Sequence, residues 1–263
     1  MGSNQATSGC VKDMSFKNYI QNVQLNKLFR KLNAPNPELL AEEVKYFTTE
    51  EAEKRDKILL DYLGENGINQ IVNIIYEFLF ASPRLSVNAK VLDVGAGTGF
   101  FTVRLYDRVR RRFPKVKFYA VDATPAMLMS IEKKRISITL FVGLAENIKG
   151  SVKEARRYFD IPYRFDAVFS TLMLHHSIQP EKVFQSIKEV LKSKGKAIIV
   201  DLCKHNFEEF KKEMGDIHLG FDLEGISEMA TKHFSRIKIE KIGGIRCECS
   251  GRSTEIFAAF LEK

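Results

Sequence analysis

The stretch of sequence that decides the fold runs Val91-Leu92-Asp93-Val94-Gly95-Ala96-Gly97-Thr98-Gly99. Its first half is mostly apolar and predicts a buried strand over residues 90–94. Its second half places glycines at alternate positions, which predicts a tight turn into a helix with backbone open to a ligand. The spacing is not the G-x-G-x-x-G of dinucleotide-binding proteins. No Gly-Lys-Ser/Thr follows either, so a P-loop is excluded.

Strands and helices alternate after this turn. Apolar runs predict strands at residues 90–94, 117–122, 138–142, 165–170, 196–201, 236–242 and 255–261. Helices are predicted at about residues 99–112, 125–135, 151–158, 180–191 and 223–233. Repeated strand–helix–strand units predict an α/β fold with a seven-stranded, mostly parallel, doubly wound sheet. Residues 243–254 alone join the last two strands, which favours an antiparallel hairpin at the sheet edge.

The first third of the chain predicts helices only. Residues 1–10 are small and polar and are predicted to be disordered, and residues 16–32 fall largely on a helical period. Thr48-Thr49-Glu50-Glu51 fits a capping box that opens a helix ending at Gly64. A further helix over residues 68–80 stops at Ser82-Pro83. Residues 11–85 are therefore predicted to form a helical cap beside an α/β domain at residues 86–263.

Composition limits the class of protein. Hydrophobic residues make up 44% of the chain, so a packed core is expected. No apolar run reaches the roughly 20 residues of a membrane helix, and the start lacks a secretory signal. Four cysteines are too few for a disulfide scaffold, which favours the cytoplasm. The net charge of the chain is +8, and its basic excess lies on residues 86–263. This excess could attract nucleic acid, although a solvated, solubilising surface is the favoured explanation.

A second acidic residue strengthens the interpretation of the glycine turn as a ligand site. Asp122 ends the second predicted strand, next to the strand that ends at Asp93. Such a carboxylate can accept hydrogen bonds from both hydroxyls of a ribose.

The order of motifs resembles that of class I, Rossmann-like, S-adenosylmethionine-dependent methyltransferases. Residues 91–99 are similar to motif I of that family, and residues 141–147 to its third motif. Residues 165–170 resemble the fourth strand, and residues 191–197 the turn before the fifth. The resemblance covers about residues 85–263. It is strongest with small-molecule methyltransferases of the ubiquinone/menaquinone-biosynthesis type, in which Leu174-His175-His176 is a frequent variant.

The resemblance implies a sheet of order 3-2-1-4-5-7-6 and the cofactor S-adenosyl-L-methionine, with S-adenosyl-L-homocysteine as product. The implied cofactor contacts are Asp93, Gly95, Ala96, Gly97, Thr98, Gly99, Asp122, Ala123, Leu144, Ala145 and Ser170. Leu144 stands where the family commonly has the aspartate that binds the adenine amino group. Adenine recognition is therefore expected from backbone groups of Leu144 and Ala145.

Residues after the fourth strand are the candidates for catalysis. His175 and His176 could act as a base near neutral pH. The favoured alternative is that one caps a helix and the other is solvated. Candidate acceptor contacts come from the cap, the fourth strand and the segment after the fifth strand: Phe16, Tyr19, Tyr62, Met173, His205 and His218. Phe47 and Phe221 are further candidates, and core packing is the alternative for the aromatic residues. No metal site is predicted.

The predicted function is methylation of a small molecule held between the core and the helical cap, which acts as a substrate lid. RNA methylation is one alternative, since Arg108 to Arg112 could follow a phosphate backbone. Against it, the Asn/Asp-Pro-Pro-aromatic motif of nucleic-acid methyltransferases is missing, and Ser170-Thr171-Leu172-Met173 stands there. A non-catalytic cofactor-binding regulator is another alternative. Cys203, Cys247 and Cys249 could bind arsenic(III), or could be unrelated cysteines. The sequence does not indicate an oligomeric state.

Overall fold

The computed structural model describes residues 14–46, 49–81 and 85–263. The start predicted to be disordered, Phe47, Thr48 of the capping box and the Ser82-Pro83 stop lie outside the described residues. Within them, no helix is long and apolar enough to cross a membrane.

A seven-stranded sheet forms the centre of the molecule, in the order β3-β2-β1-β4-β5-β7-β6. Its strands are β1 Lys90–Val94, β2 Lys117–Asp122, β3 Ile138–Val142, β4 Phe165–Thr171, β5 Leu191–Leu202, β6 Arg236–Cys249 and β7 Arg252–Glu262. β1 to β5 pair in parallel, and β7 pairs antiparallel with both β5 and β6. The predicted strand order and the antiparallel pairing at the edge are confirmed.

Helices cover the sheet and extend its N-terminal side. They are α1 Phe16–Asn22, α2 Leu25–Lys31, α3 Pro37–Tyr46, α4 Thr49–Tyr76, α5 Phe100–Arg112, α6 Pro125–Lys133, α7 Ile148–Ala155, α8 Pro180–Val190, α9 Glu208–Met214 and α10 Leu223–Thr231. A π-helical turn, Glu77–Ala81, follows α4. Two 3₁₀ turns, Ala145–Asn147 and Leu174–His176, follow β3 and β4.

Alternate residues of the central strands supply two hydrophobic cores. Ile198 and Val200 of β5 pack with α4 and α5, whereas Ile199 packs on the opposite face with α7, α8 and α10. Successive side chains of a strand point to opposite faces, so a strand covered on both sides is apolar at every position. The buried run in β5 therefore reflects helices on both faces.

The N-terminal helices pack at the β3 edge of the sheet and along one of its faces. Tyr19 of α1 packs edge-on against Tyr158 and Phe159, and its hydroxyl oxygen accepts a hydrogen bond from the Val142 backbone N–H of β3 at 3.2 Å. The second half of α4 instead contributes Ile68, Ile71 and neighbouring residues to the core shared with α5. The segment predicted as a lid thus also supplies part of the packed core.

The structure corrects two local predictions and bears out a third. Residues 16–32 form two helices, because Val23 and Gln24 are extended. The helix predicted to end at Gly64 does end there: at φ 63° and ψ 158°, Gly64 is a non-helical kink between the two helical segments that together make up α4. β6 and β7 continue through the predicted connection at residues 243–254, with a register shift between Lys241 and Arg246, and the turn is made only by Ser250-Gly251.

Candidate active site

A cavity of about 690 Å³ opens at the carboxyl ends of β1, β2 and β4. One wall is the backbone that follows these strands, as expected for ligand sites on open α/β sheets. The other wall comes from the N-terminal helices, through residues such as Leu40, Val44 and Leu59. The cavity therefore joins a polar wall of backbone and acidic groups to an apolar wall.

The glycine turn forms part of this wall. The amides of Gly95 and Ala96 donate to the Val121 carbonyl at 2.9 and 3.1 Å, which fixes the turn against β2. Gly97 has φ +53°, and no atom lies within 4 Å of the position that a Cβ would occupy there. At Gly95 a Cβ would overlap the Met173 side chain. Close packing against Met173 therefore requires glycine at position 95. At position 97, glycine leaves the backbone open to a ligand.

Asp122 lies at the end of β2 and faces the cavity, as the sequence predicts. Its carboxylate accepts from the Gly97 amide and from the Thr124 amide, each at 2.8 Å. Burial raises the pKa of Asp122, and the two amides partly offset that effect. Each oxygen keeps a further lone pair, so the carboxylate can still accept hydrogen bonds from a ribose.

Four other predicted cofactor residues support the turn. Asp93 is buried outside the cavity lining and accepts the Thr102 hydroxyl at 2.5 Å. Ser170 donates to the Val94 carbonyl at 2.8 Å and is also outside the lining. Thr98 lines the cavity and donates to Asp56 of α4. Gly99 precedes α5 in the left-handed conformation and lies outside the lining.

The region expected to hold adenine is only partly available. Ala123, Leu144 and Ala145 all line the cavity. The Leu144 amide, however, already donates to the Ser151 hydroxyl at 3.0 Å. That hydroxyl donates in turn to the Asn147 carbonyl at 2.8 Å. The Leu144 N–H is therefore engaged within the protein, which leaves its apolar side chain as its contact surface.

The two histidines lie on the cavity wall beside β4. The His175 ring is buried, with Nδ1 2.6 Å from Asp201 Oδ1. Burial by itself lowers the pKa of His175, but the Asp201 carboxylate outweighs it and the pKa is raised. For His176, burial and then the charge of His175 hold the pKa well below its ordinary value. Its neutral form is favoured at pH 7.

Of the predicted acceptor residues that the structure describes, Met173 alone lines the cavity. Phe16 and Tyr19 pack together at 5.7 Å, away from the lining. Tyr62 donates to Glu213 at 2.7 Å, and His218 Nε2 donates to the Ser177 carbonyl at 2.9 Å. His205 packs on Phe210 and accepts from the Phe207 amide at 3.2 Å. Phe221 stacks against His218 and also lies outside the lining.

The cysteines do not form the thiol cluster that an arsenic site requires. Cys203, Cys247 and Cys249 are free and buried. Of these, only Cys247 lines the cavity. None belongs to a group of three close metal-ligating side chains in the described part of the chain. Cys247 and Cys249 fall in the predicted connection at residues 243–254, but both lie within β6. Burial raises the pKa of Cys247 to about 12, so its thiol is protonated.

The sequence analysis assigned no role to three side chains that line the cavity or support its lining. Arg55 of α4 lines the cavity and donates to the Met214 carbonyl at 3.4 Å. Asp216 lines it from the segment after α9. Asp201 holds His175 from the end of β5. Only Asp201 could be found from sequence, because it ends a strand that is parallel to β4.

Comparison with known proteins agrees with this geometry. The family described as methyltransferase domain matches residues 85–244. An uncharacterized methyltransferase of Staphylococcus carnosus is 24% identical over 66% of this chain and 77% of its own length. The ubiquinone/menaquinone biosynthesis C-methyltransferase UbiE of Rickettsia akari is 28% identical, over 51% of this chain and 52% of its own. This chain thus spans about half the length of that curated relative.

A solved structure shares the fold. Phosphoethanolamine N-methyltransferase 2 of Haemonchus contortus, in complex with phosphomonomethylethanolamine and S-adenosylhomocysteine, has a TM-score of 0.57 at 18% identity. The match covers 92% of this chain and 60% of that one. Fold and site together define a Rossmann-like S-adenosylmethionine-dependent methyltransferase. The chain belongs to the methyltransferase domain family.

The residues present fit this cofactor. The uncovered backbone at Gly97 can approach a ligand closely, and Asp122 retains acceptor capacity beside it. The apolar Leu144 and Ala145 side chains line the same cavity and suit the face of an adenine. These contacts would hold the nucleoside at the carboxyl edge of β1 and β2.

Proposed function

We propose that this enzyme methylates a small-molecule acceptor bound between the glycine turn and the N-terminal helices. One observation supports this most directly: a single cavity extends from Gly97 and Asp122 to the apolar residues of α3 and α4. Its volume of about 690 Å³ lies within the roughly 300–1,000 Å³ usual for small-molecule sites. We further propose that the enzyme works in the cytoplasm, since Cys203, Cys247 and Cys249 are free thiols.

The cofactor supplies an activated methyl group on a sulfonium, so the protein mainly aligns the acceptor and excludes water. Asp122 and the Gly97 backbone are proposed to orient the nucleoside. Met173 packs on Gly95, between the glycine turn and the part of the cavity wall that holds His175 and His176. His176 lines the cavity with its neutral form favoured, which makes it the candidate to accept a proton from an acceptor hydroxyl or amine.

The experiment is a calorimetric titration with S-adenosylhomocysteine of the wild type, Gly97→Ala and Gly251→Ala. Both glycines have positive φ with no atom near the added Cβ, so both substitutions strain the backbone by about 1–2 kcal/mol. Only Gly97 faces the cavity. We expect Gly97→Ala to weaken binding at least about tenfold, which corresponds to about 1.4 kcal/mol, and Gly251→Ala to leave it unchanged.

Equal affinities in the two variants would reject the proposed cofactor site. A screen of small-molecule acceptors with radiolabelled methyl donor then tests turnover. If cofactor binds and no acceptor in a broad screen is methylated, the non-catalytic regulator becomes the better interpretation.

A further inference from the structure

His175, His176 and Asp216 meet on the cavity wall. One ligating atom from each lies within 4.8 Å of the others. Two residues come from the 3₁₀ turn after β4, and the third follows α9. In residues 14–46, 49–81 and 85–263, this is the one such group of His, Cys, Asp or Glu. The cluster is separate from the glycine turn, and the methyl-transfer proposal assigns it no metal.

Asp216 is the side chain in this cluster that the protein itself leaves unsatisfied. The residue is 5% exposed, and neither carboxylate oxygen has a hydrogen-bond partner among the described residues. The His175 Nε2 atom lies 3.5 Å from Oδ1, without hydrogen-bond geometry. A buried carboxylate is costly unless a cation or several donors compensate it. A cation bound in the cavity would compensate this carboxylate.

Both imidazoles are oriented as metal ligands usually are. His175 Nδ1 is held by the Asp201 carboxylate at 2.6 Å, and His176 Nδ1 by the Gly215 carbonyl at 3.3 Å. A carbonyl can only accept, so Nδ1 of His176 carries the proton. Ligating histidines typically donate one ring N–H to a carboxylate or backbone carbonyl, which leaves the other nitrogen free for the ion. Here both Nε2 atoms are the free nitrogens.

Asp201 is itself fully engaged and serves as the supporting group. Besides the His175 ring, its carboxylate accepts from the amides of Leu174 and Leu202, each at 2.7 Å. It therefore fixes the ring while Asp216 remains available. This division resembles the carboxylate–histidine–metal arrangement of zinc proteins, in which one carboxylate orients and another ligates.

We propose that the Nε2 atoms of His175 and His176 and the Asp216 carboxylate bind one divalent transition-metal ion, with Zn²⁺ as the reference ion. Two imidazoles and one carboxylate suit zinc, whereas Mg²⁺ and Ca²⁺ prefer oxygen ligands only. Three protein ligands leave a position open to the cavity, as in catalytic zinc sites. Ligand atoms around tetrahedral Zn²⁺ are roughly 3.4 Å apart, given bonds of about 2.0–2.1 Å. The three groups, whose ligating atoms lie within 4.8 Å of one another, would therefore close slightly around the ion.

Local charge favours a cation. Asp201, Asp216 and Asp122 all lie at or behind this wall, and Arg55 is the cationic side chain that acts on both Asp216 and Asp122. A divalent ion would balance the remaining acidic charge. The rival arrangement is a protonated His175 between Asp201 and Asp216 with no metal. A ligating His176 Nε2 cannot accept a proton, so the base role proposed above for His176 applies to the enzyme without the ion.

The test uses the full chain after treatment with a chelator. Zn²⁺ is titrated by calorimetry and Co²⁺ by visible absorption, which reports coordination number directly. We expect about one ion per chain and absorption bands of four- or five-coordinate Co²⁺. Asp216→Asn and His176→Gln should each weaken binding at least about tenfold. His233→Gln, a histidine outside the cavity, should bind as the wild type does.

Two results would overturn the proposal: no stoichiometric binding by the wild type, or unchanged affinity in both ligand variants. His176→Gln alters a half-buried residue, so the test stands even if Asp216→Asn fails to fold. S-adenosylhomocysteine is titrated into the same samples. Normal binding of that nucleoside with no metal uptake rejects the metal site alone, because the proposal does not depend on methyl transfer.

Discussion

At the scale of the residue, Asp93 is a buried carboxyl group next to the glycine turn. Its carboxylate is 3% exposed and has the Thr102 hydroxyl as donor. Burial raises the pKa of Asp93 to about 7, and the Thr102 hydrogen bond opposes that shift. The folded protein therefore binds a proton at Asp93 more tightly than the unfolded chain does. From this group alone, the free energy of unfolding should fall as pH rises from about 4 to about 7.

Asp93→Asn removes this titration. The variant should gain stability relative to the wild type as pH rises through that window, by up to about 4 kcal/mol, and the difference should level off above pH 7. Urea unfolding at about pH 4.5 and about pH 8 measures it. Asp107→Asn makes the same change on the exposed side of α5 and should show no such trend. Parallel pH profiles for Asp93→Asn and the wild type would contradict the assignment.

At the scale of the element, α4 connects the sheet core to the cavity. Its second half packs with α5, whereas its first half presents Arg55 and Leu59 to the cavity. The first half is also tied to the glycine turn, because Asp56 accepts from Thr98 and pairs at 3.3 Å with Lys134, the residue after α6. The kink at Gly64 separates the two halves. It lets one helical segment serve two surfaces that a straight helix could not reach together.

Gly64→Ala tests the kink. The φ and ψ of 63° and 158° lie in a region used almost only by glycine, and no atom lies within 4 Å of the added Cβ. The expected loss of stability is therefore a backbone effect of about 1–3 kcal/mol, measured by urea unfolding. Gly243→Ala also adds a Cβ in open space but without positive φ, and should change stability by less than about 0.5 kcal/mol. Equal effects of the two substitutions would show that the kink is not strained.

At the scale of the whole molecule, part of the basic stretch on α5 is engaged by aromatic and acidic side chains. Arg108 lies over the Tyr76 ring at 4.4 Å and pairs with Glu77 at 3.8 Å. Arg110 lies over the ring of Tyr106, on α5 itself, at 5.5 Å. The cavity is walled by helices on the side opposite the glycine turn. A base in RNA would have to leave its stack to reach the glycine turn.

We therefore expect RNA to bind only non-specifically, with dissociation constants of about 10⁻⁴–10⁻⁶ M at physiological salt, and to accept no methyl group. Fluorescence anisotropy with single-stranded and duplex RNA measures affinity across salt concentrations, and radiolabelled donor measures methyl transfer. Arg108→Gln should leave small-molecule turnover unchanged. Incorporation of label into RNA that falls with added salt would favour RNA methylation instead.

The sequence by itself determined the sheet, its order through the family resemblance, the glycine turn and Asp122. These features follow from local patterns, such as apolar alternation and glycine spacing, or from residues at the ends of adjacent parallel strands. Only the tertiary structure decided which side chains face the acceptor. Helix packing places Arg55 and Asp216 on the cavity wall near His175. It leaves Phe16, Tyr19 and Tyr62 outside the cavity. Residues more than a hundred positions apart meet there because helix packing places them together, and no local pattern records that packing.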